Sequence, residues 1–253
     1  MRGEVVVITP EVQAGMGGLA DYTLRLVDEW GPRAQVRFLV PTQESLPGGL
    51  PGSGGKVLLQ YSAYGYDRFG YPRSLLRSLI KWRTSTRDAR LVVMLHEIWT
   101  FWPLLNKNRL VQHFHRLALR RLVCVADAVF TSTPSQAEHL RKLTEVGSIQ
   151  VMPVGSNIRV LSRDVARERG LAVVFGLPAA RLRALREMQA DLKSLASAQT
   201  IRRLLAVGQS GNEQENRAER DLLAALDLAD GVEQRGGLTE AEVSELLSRA
   251  IFG

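Results

Sequence analysis

The stretch that most constrains the fold is at the N-terminus, where an apolar run leads through glycines into an amphipathic pattern. Residues 5–8 (VVVI) are typical of a buried parallel strand. Gly15, Gly17 and Gly18 then form a turn. Helical spacing over residues 18–30 is kept by Leu19, Tyr22, Leu26 and Trp30. This order can place backbone N–H groups and a positive helix end against an anion. It favours an anion site over a loop that only joins a strand to a helix.

The same alternation of strand and helix continues along the chain and predicts an α/β fold. Strands are predicted at 35–40, 56–60, 91–95, 128–131, 149–152, 171–175, 203–207 and 232–234. Helices are predicted at 18–30, 73–87, 106–125, from 134 onward, and at 179–195, 213–226 and 239–250. A charged, poorly periodic segment at 158–171 suggests a linker. We therefore expect two Rossmann-like, doubly wound parallel-sheet domains, at 1–160 and 161–253, with the second one incomplete.

The positive charge belongs to the first domain. The net charge is +7, and residues 1–160 hold 20 basic against 12 acidic side chains. On a helix over 73–87, Arg73, Arg77 and Lys81 would share one face. Such a face is suited to anionic lipid or a phosphorylated substrate, although a solvated helix surface is the more common explanation of the pattern. No nucleic-acid motif is present, so we expect no nucleic-acid partner.

Hydropathy and cysteine usage are those of a cytoplasmic protein. We expect at most a peripheral contact with the inner face of the membrane. Apolar residues make up 45% of the chain, and no uninterrupted apolar run reaches the length of a membrane span. The N-terminus shows no signal-peptide pattern. The single cysteine, Cys124, lies in an apolar string and is expected to be a buried thiol.

His96 and Glu97 are the first candidates for chemistry, because they follow the apolar strand 91–95 directly. Open parallel sheets bind ligands at the carboxyl ends of their strands. The alternative is a strand-end histidine that only hydrogen-bonds to the backbone. The four histidines form no clustered set with cysteine or aspartate, so no metal is expected.

Seven stretches in order resemble the retaining GT-B glycosyltransferases, which transfer a sugar from a nucleotide-sugar donor. They are GMGGLADYT (15–23), LVVMLHEIW (91–99), ADAVFTSTPSQAEHL (126–140), VMPVGSNI (151–158), AVVFGLP (172–178), LLAVGQSG (204–211) and GVEQRGGLTEAEVSELLSRA (231–250). The resemblance implies a hexosyltransferase-like enzyme of glycan biosynthesis. It implies a nucleotide-sugar donor, a glycan, lipid-linked or other anionic acceptor, and no cofactor or metal.

The resemblance also implies roles for particular residues. His96 and Glu97 would be catalytic, with His96 bonded to the transferred sugar or the acceptor. Contacts to the donor phosphates or the acceptor would come from Gly15, Gly17, Gly18, Arg181 and Arg183. The cleft between the domains would be lined by Ser132, Gly155 and Asn157.

Departures from the family pattern leave two other functions open. The usual lysine is missing beside Arg181, and the chain ends before the paired glutamates of the donor site. We therefore expect a truncated chain, and an inactive binding module of the same fold is the first alternative. The second is a nicotinamide-type Rossmann oxidoreductase, because Gly15, Gly17 and Ala20 satisfy G-x-G-x-x-A. Six residues separate that motif from its strand, and strand 35–40 lacks a terminal acidic residue, which disfavours this reading.

Overall fold

The computed structural model describes residues 4–13, 18–41, 46, 49–98, 106–144, 148–155, 158–160 and 165–251. The chain divides into two compact units, Met1–Asn157 (unit 1) and Ile158–Gly253 (unit 2). Each unit has its own sheet of parallel strands, covered by helices. The predicted α/β class, with two separate parallel sheets, is confirmed.

Unit 1 is built on a six-stranded parallel sheet in the order β2-β1-β3-β4-β5-β6. Its strands are β1 (Glu4–Ile8), β2 (Gln35–Leu39), β3 (Lys56–Tyr61), β4 (Arg90–Leu95), β5 (Ala128–Thr131) and β6 (Ile149–Val151). Its helices are α1 (Gly18–Trp30), α2 (Ala63–Tyr66), α3 (Arg73–Ser85), α4 (Asn106–Val125) and α5 (Pro134–Thr144). The chain leaves β1 toward β2 and returns on the other side of β1 to form β3. The β1–β3 boundary is therefore a topological switch point, where ligands bind to open α/β sheets.

Both faces of the unit 1 sheet are buried, which explains why its strands are continuously apolar. On one face, Ile8, Leu59 and Leu95 pack in the large core that also holds Leu79 of α3 and Leu119 of α4. A smaller cluster of Val7, Leu58 and Met94 packs on the other face with Leu26, Val27 and Trp30 of α1. Helix α3 has the predicted amphipathic form, with Arg73, Arg77 and Lys81 all exposed.

Unit 2 repeats the plan with three described strands in the order β7-β8-β9. They are β7 (Leu171–Phe175), β8 (Arg203–Val207) and β9 (Val232–Arg235). The helices are α6 (Pro178–Glu187), α7 (Gln189–Ser197), α8 (Glu213–Ala224) and α9 (Glu240–Arg249). Leu204 and Ala206 point to the core under α6, α7 and α8, and Leu205 and Val207 point to the core under α9.

Three local expectations need correction. The single helix expected at 179–195 is two helices, because the backbone leaves the helical region at Met188. Residues 61–71 are rich in tyrosine and glycine and were not predicted to form a helix, but α2 lies there. Cys124 is exposed rather than buried, because the inward stripe of α4 is formed by Leu119, Leu122 and their neighbours.

Candidate functional site

The candidate site lies at the carboxyl ends of the unit 1 strands, beside the switch point. The Tyr66 hydroxyl lies 3.1 Å from the carbonyl oxygen of Ile8 and 2.8 Å from that of Gln60. It thereby links the ends of β1 and β3. Burial raises the pKa of Tyr66 well above its usual value, so the hydroxyl keeps its proton and remains a donor.

His96 follows β4 and is held from three sides. Its backbone N–H donates to the Tyr61 carbonyl oxygen at 3.0 Å. Its ring Nε2 lies 2.7 Å from Oε1 of the fully buried Gln60, and the ring meets Tyr22 of α1 edge to face at 5.1 Å. Burial lowers the pKa of His96 to about 4. The imidazole is therefore neutral at physiological pH and offers one donor and one acceptor.

Glu97 adds a carboxylate at the next position. Its side chain is exposed, and Oε2 accepts a hydrogen bond of 2.9 Å from the Ser62 hydroxyl, at the end of β3. The structure thus brings His96 and Glu97 to one edge of the sheet, as the sequence predicted. A neutral imidazole, a carboxylate and a hydroxyl together form a surface that can bind several hydroxyl groups at once.

Ser132 joins this site through Gln136 of α5. The Gln136 Oε1 atom accepts hydrogen bonds from the Thr131 and Ser132 hydroxyls, the second at 3.0 Å. Gln136 Nε2 reaches the carbonyl oxygen of His96 at 3.4 Å. Thr133 caps the helix by accepting from the Gln136 N–H at 3.2 Å. The ends of β4 and β5 are therefore connected by a single amide side chain.

The remaining unit 1 candidates are only partly described. Gly18 is exposed and is the first residue of α1, with open space around the position of a Cβ. Gly155 is exposed a few residues after β6. Gly15, Gly17 and Asn157 lie outside the described residues, so their binding roles stay predictions.

In unit 2, Arg181 is buried in α6 and uses most of its N–H groups inside the protein. Its guanidinium donates to both carboxylate oxygens of Glu219 at 2.6 and 2.9 Å. It also donates to the carbonyl oxygens of Gly176 at 2.6 Å and Gln209 at 3.1 Å. Four of its five N–H groups are thus used inside the protein. This corrects the assignment of Arg181 as a direct phosphate contact: it joins the loops after β7 and β8. Arg183 is exposed on the same helix, and its phosphate role stays a prediction.

Metal and membrane features were searched within the described ranges. No three His, Cys, Asp or Glu side chains among these residues converge to hold a metal ion. No helix in this part of the chain is long and apolar enough to cross a membrane.

Comparisons with known proteins give likenesses to solved structures at low sequence identity. No family model matches the chain, and no curated protein matches it. The crystal structure of TarM is similar with a TM-score of 0.48 and 10% identity, over 78% of this chain and 36% of that one. The Glycosylation Associate Protein (Gap123) complex from Streptococcus agalactiae is similar with a TM-score of 0.42 and 11% identity, over 79% of this chain and 37% of that one. The chain spans just over a third of each, and at these values neither structure assigns it a function.

Sequence reasoning missed three residues that shape the site: Gln60, Tyr22 and Gln136. The signal for Gln60 was present, because a glutamine interrupts the otherwise apolar run of residues 57–61. Burial of an amide in such a strand is costly unless it is hydrogen-bonded, so the residue points to a partner. Tyr22 and Gln136 fit ordinary helical patterns, and nothing in the sequence separates them from packing residues.

Proposed function

We propose that this chain serves glycosyl transfer, moving a sugar from a nucleotide-sugar donor to an acceptor with retention of configuration. One observation carries the proposal. A neutral imidazole, a carboxylate, hydroxyls and amides converge at the carboxyl ends of β3, β4 and β5, beside the switch point of a parallel sheet. The order of family-like motifs along the sequence gives this hydrogen-bonding set its proposed chemistry.

The set suits a ligand rich in hydroxyl groups. His96 is uncharged at neutral pH, so it can accept a hydrogen bond from a sugar hydroxyl and does not attract anions from solution. Glu97 keeps one carboxylate oxygen beyond the one that accepts from Ser62. In this proposal, His96 and Glu97 bind the sugar or acceptor, and Ser132 holds the neighbouring strand end in place.

The departing nucleoside diphosphate carries the charge that catalysis must stabilise. We assign that task to main-chain N–H groups of Gly15, Gly17 and Gly18, at the positive end of α1, together with Arg183. Arg181 keeps the unit 2 loops in place rather than touching phosphate. Gly155 and Asn157 stay binding candidates in this scheme, which needs no metal.

The acceptor in this proposal is a glycan, a lipid-linked sugar or another anionic molecule. The exposed face formed by Arg73, Arg77 and Lys81 would attract it, or an anionic membrane surface, electrostatically. We place the protein in the cytoplasm, at most peripheral to the membrane. No nucleic acid is expected as a partner.

The direct test is to incubate the purified chain with a panel of uridine- and guanosine-diphosphate sugars and measure release of nucleoside diphosphate. We expect release with one donor class and its loss in His96→Phe, which keeps a ring against Tyr22. His113→Gln is the matched control, because His113 is exposed on α4 outside the site. Release that persists in His96→Phe would contradict the assignment.

Binding without release would favour the second function, a binding module of the same fold. The nicotinamide alternative is tested in the same panel by the melting temperature. A ligand at 100 times its Kd adds about 2.7 kcal/mol to stability. If NADH raises the melting temperature and no nucleotide sugar does, the oxidoreductase function is favoured over glycosyl transfer.

A further inference from the structure

Gln60 is a feature of the site that packing does not explain. It is 0% exposed, in a strand whose neighbouring positions are Leu59 and Tyr61. Its Oε1 meets Nε2 of His96 at 2.7 Å, whereas its own Nε2 is buried without a hydrogen-bond partner among the described residues. A buried donor left unpaired costs about 1–3 kcal/mol. An apolar side chain here would avoid that cost, so Gln60 is better explained by what it does to His96.

The contact dictates where the proton of His96 lies. An amide oxygen accepts hydrogen bonds only, so the ring nitrogen that faces it must donate. A neutral imidazole carries a single N–H, which this contact places on Nε2. Nδ1 is then unprotonated and carries a lone pair, and no described residue hydrogen-bonds to it. Among the described contacts, Nδ1 is the ring acceptor that remains for a ligand.

We propose that Gln60 is a positioning residue that selects the Nε2–H tautomer of His96, so that Nδ1 accepts a hydrogen bond from a ligand hydroxyl. The ligand part of this inference rests on the proposed function, and the tautomer part does not. The tautomer acts as a specificity device: an Nδ1 acceptor favours a ligand that presents a hydroxyl donor. The opposite tautomer would present an N–H and favour a carbonyl or phosphate oxygen instead.

Nitrogen-15 NMR of the histidine rings in the ligand-free chain at pH 7 tests the tautomer directly. In the wild-type chain we expect His96 to show a protonated Nε2 and an unprotonated Nδ1. Gln60→Met removes the acceptor and leaves a buried Nε2–H unpaired, so the proton should shift toward the open Nδ1. Gln136→Met is the matched control, because the Gln136 amide meets His96 at its backbone carbonyl and not at its ring, so its loss should leave the tautomer unchanged.

A wild-type ring protonated on Nδ1, or a Gln60→Met chain with unchanged ring signals, would overturn the proposal. If Gln60→Met does not fold, Gln60→Glu replaces it. Its carboxylate would keep the Nε2–H tautomer and stabilise the charged ring. We expect His96 in that variant to titrate at a higher pH than in the wild type, and an unchanged titration would again overturn the proposal.

Saturation-transfer NMR with the donor that gives release then tests the ligand part. We expect Gln60→Met to weaken saturation of the sugar protons about tenfold, with little change at the nucleoside protons. Equal saturation of the sugar protons in the wild-type chain and in Gln60→Met would refute the Nδ1 contact. Because the ring signals are measured without ligand, they test the tautomer whether or not any nucleotide sugar binds.

Discussion

The buried pair of Arg181 and Glu219 allows a quantitative prediction about unit 2. We choose Arg181→Met as the perturbation, because methionine fills much of the same volume without a charge. The two side chains are 3% and 2% exposed and form two charge-assisted hydrogen bonds. Loss of one partner leaves an uncompensated buried charge, which costs about 3–5 kcal/mol.

A double-mutant cycle separates the pair from ordinary packing. Glu219→Met should destabilise unit 2 by a similar amount, because it strands the guanidinium. The double variant should cost less than either single change, since no unpaired charge remains buried. Exposed Arg202 and Asp230 form the control pair, at 50% and 48% side-chain exposure. We expect less than about 1 kcal/mol from Arg202→Met.

The assay must report on unit 2 itself. All four tryptophans and all five tyrosines lie at or before residue 102, so intrinsic fluorescence does not follow unit 2. Native-state hydrogen exchange at the β8 amides, measured as a function of urea concentration, does report on unit 2. A loss below about 1 kcal/mol for Arg181→Met, or additive effects in the double variant, would refute the buried, coupled pair.

Three further predictions concern pH, a crowded glycine and a helix cap. The pKa of His96 is about 4 in the folded chain against an ordinary 6.5, so its contribution to stability is fully present above pH 6.5 and is lost, by up to about 3 kcal/mol, as the pH falls toward 4. Urea midpoints from tryptophan fluorescence should show this loss, and His96→Phe should abolish it. Gly70→Ala should cost about 2–4 kcal/mol in the same assay, because its φ is +73° and a Cβ would collide with the ring of buried His115. Gly54→Ala, at φ +71° in open space, should cost only about 1–2 kcal/mol. Asn212→Ala removes one half of the capping box of α8 and should cost about 1 kcal/mol by far-UV circular dichroism, and no measurable change would contradict the cap.

Much of the fold was predictable because its strands are buried on both faces and its helices are amphipathic. Helices α1 and α4 and strands β5, β7 and β8 have the bounds that apolar runs and helical spacing predicted. The break at Met188 was not predictable. Leu182, Leu185, Leu192 and Ala196 are all buried and keep helical spacing across it, so the sequence pattern shows no interruption there.

The site was predictable only in part, for a related reason. His96 and Glu97 were found because strand ends can be located from hydropathy. Arg181 was misassigned, because an arginine in a loop-to-helix segment gives no sign of a buried partner 38 residues away. Pairings of this kind depend on which helices pack together, and the sequence alone does not give that.

The measurement that tests the central claim most directly is saturation-transfer NMR of the wild-type chain against the panel of nucleotide sugars, with His96→Phe and His113→Gln beside it. Glycosyl transfer at this site predicts that one donor class binds and that its sugar protons lose saturation in His96→Phe alone. A panel in which no nucleotide sugar binds the wild-type chain, or in which His96→Phe binds as well as His113→Gln, would contradict it.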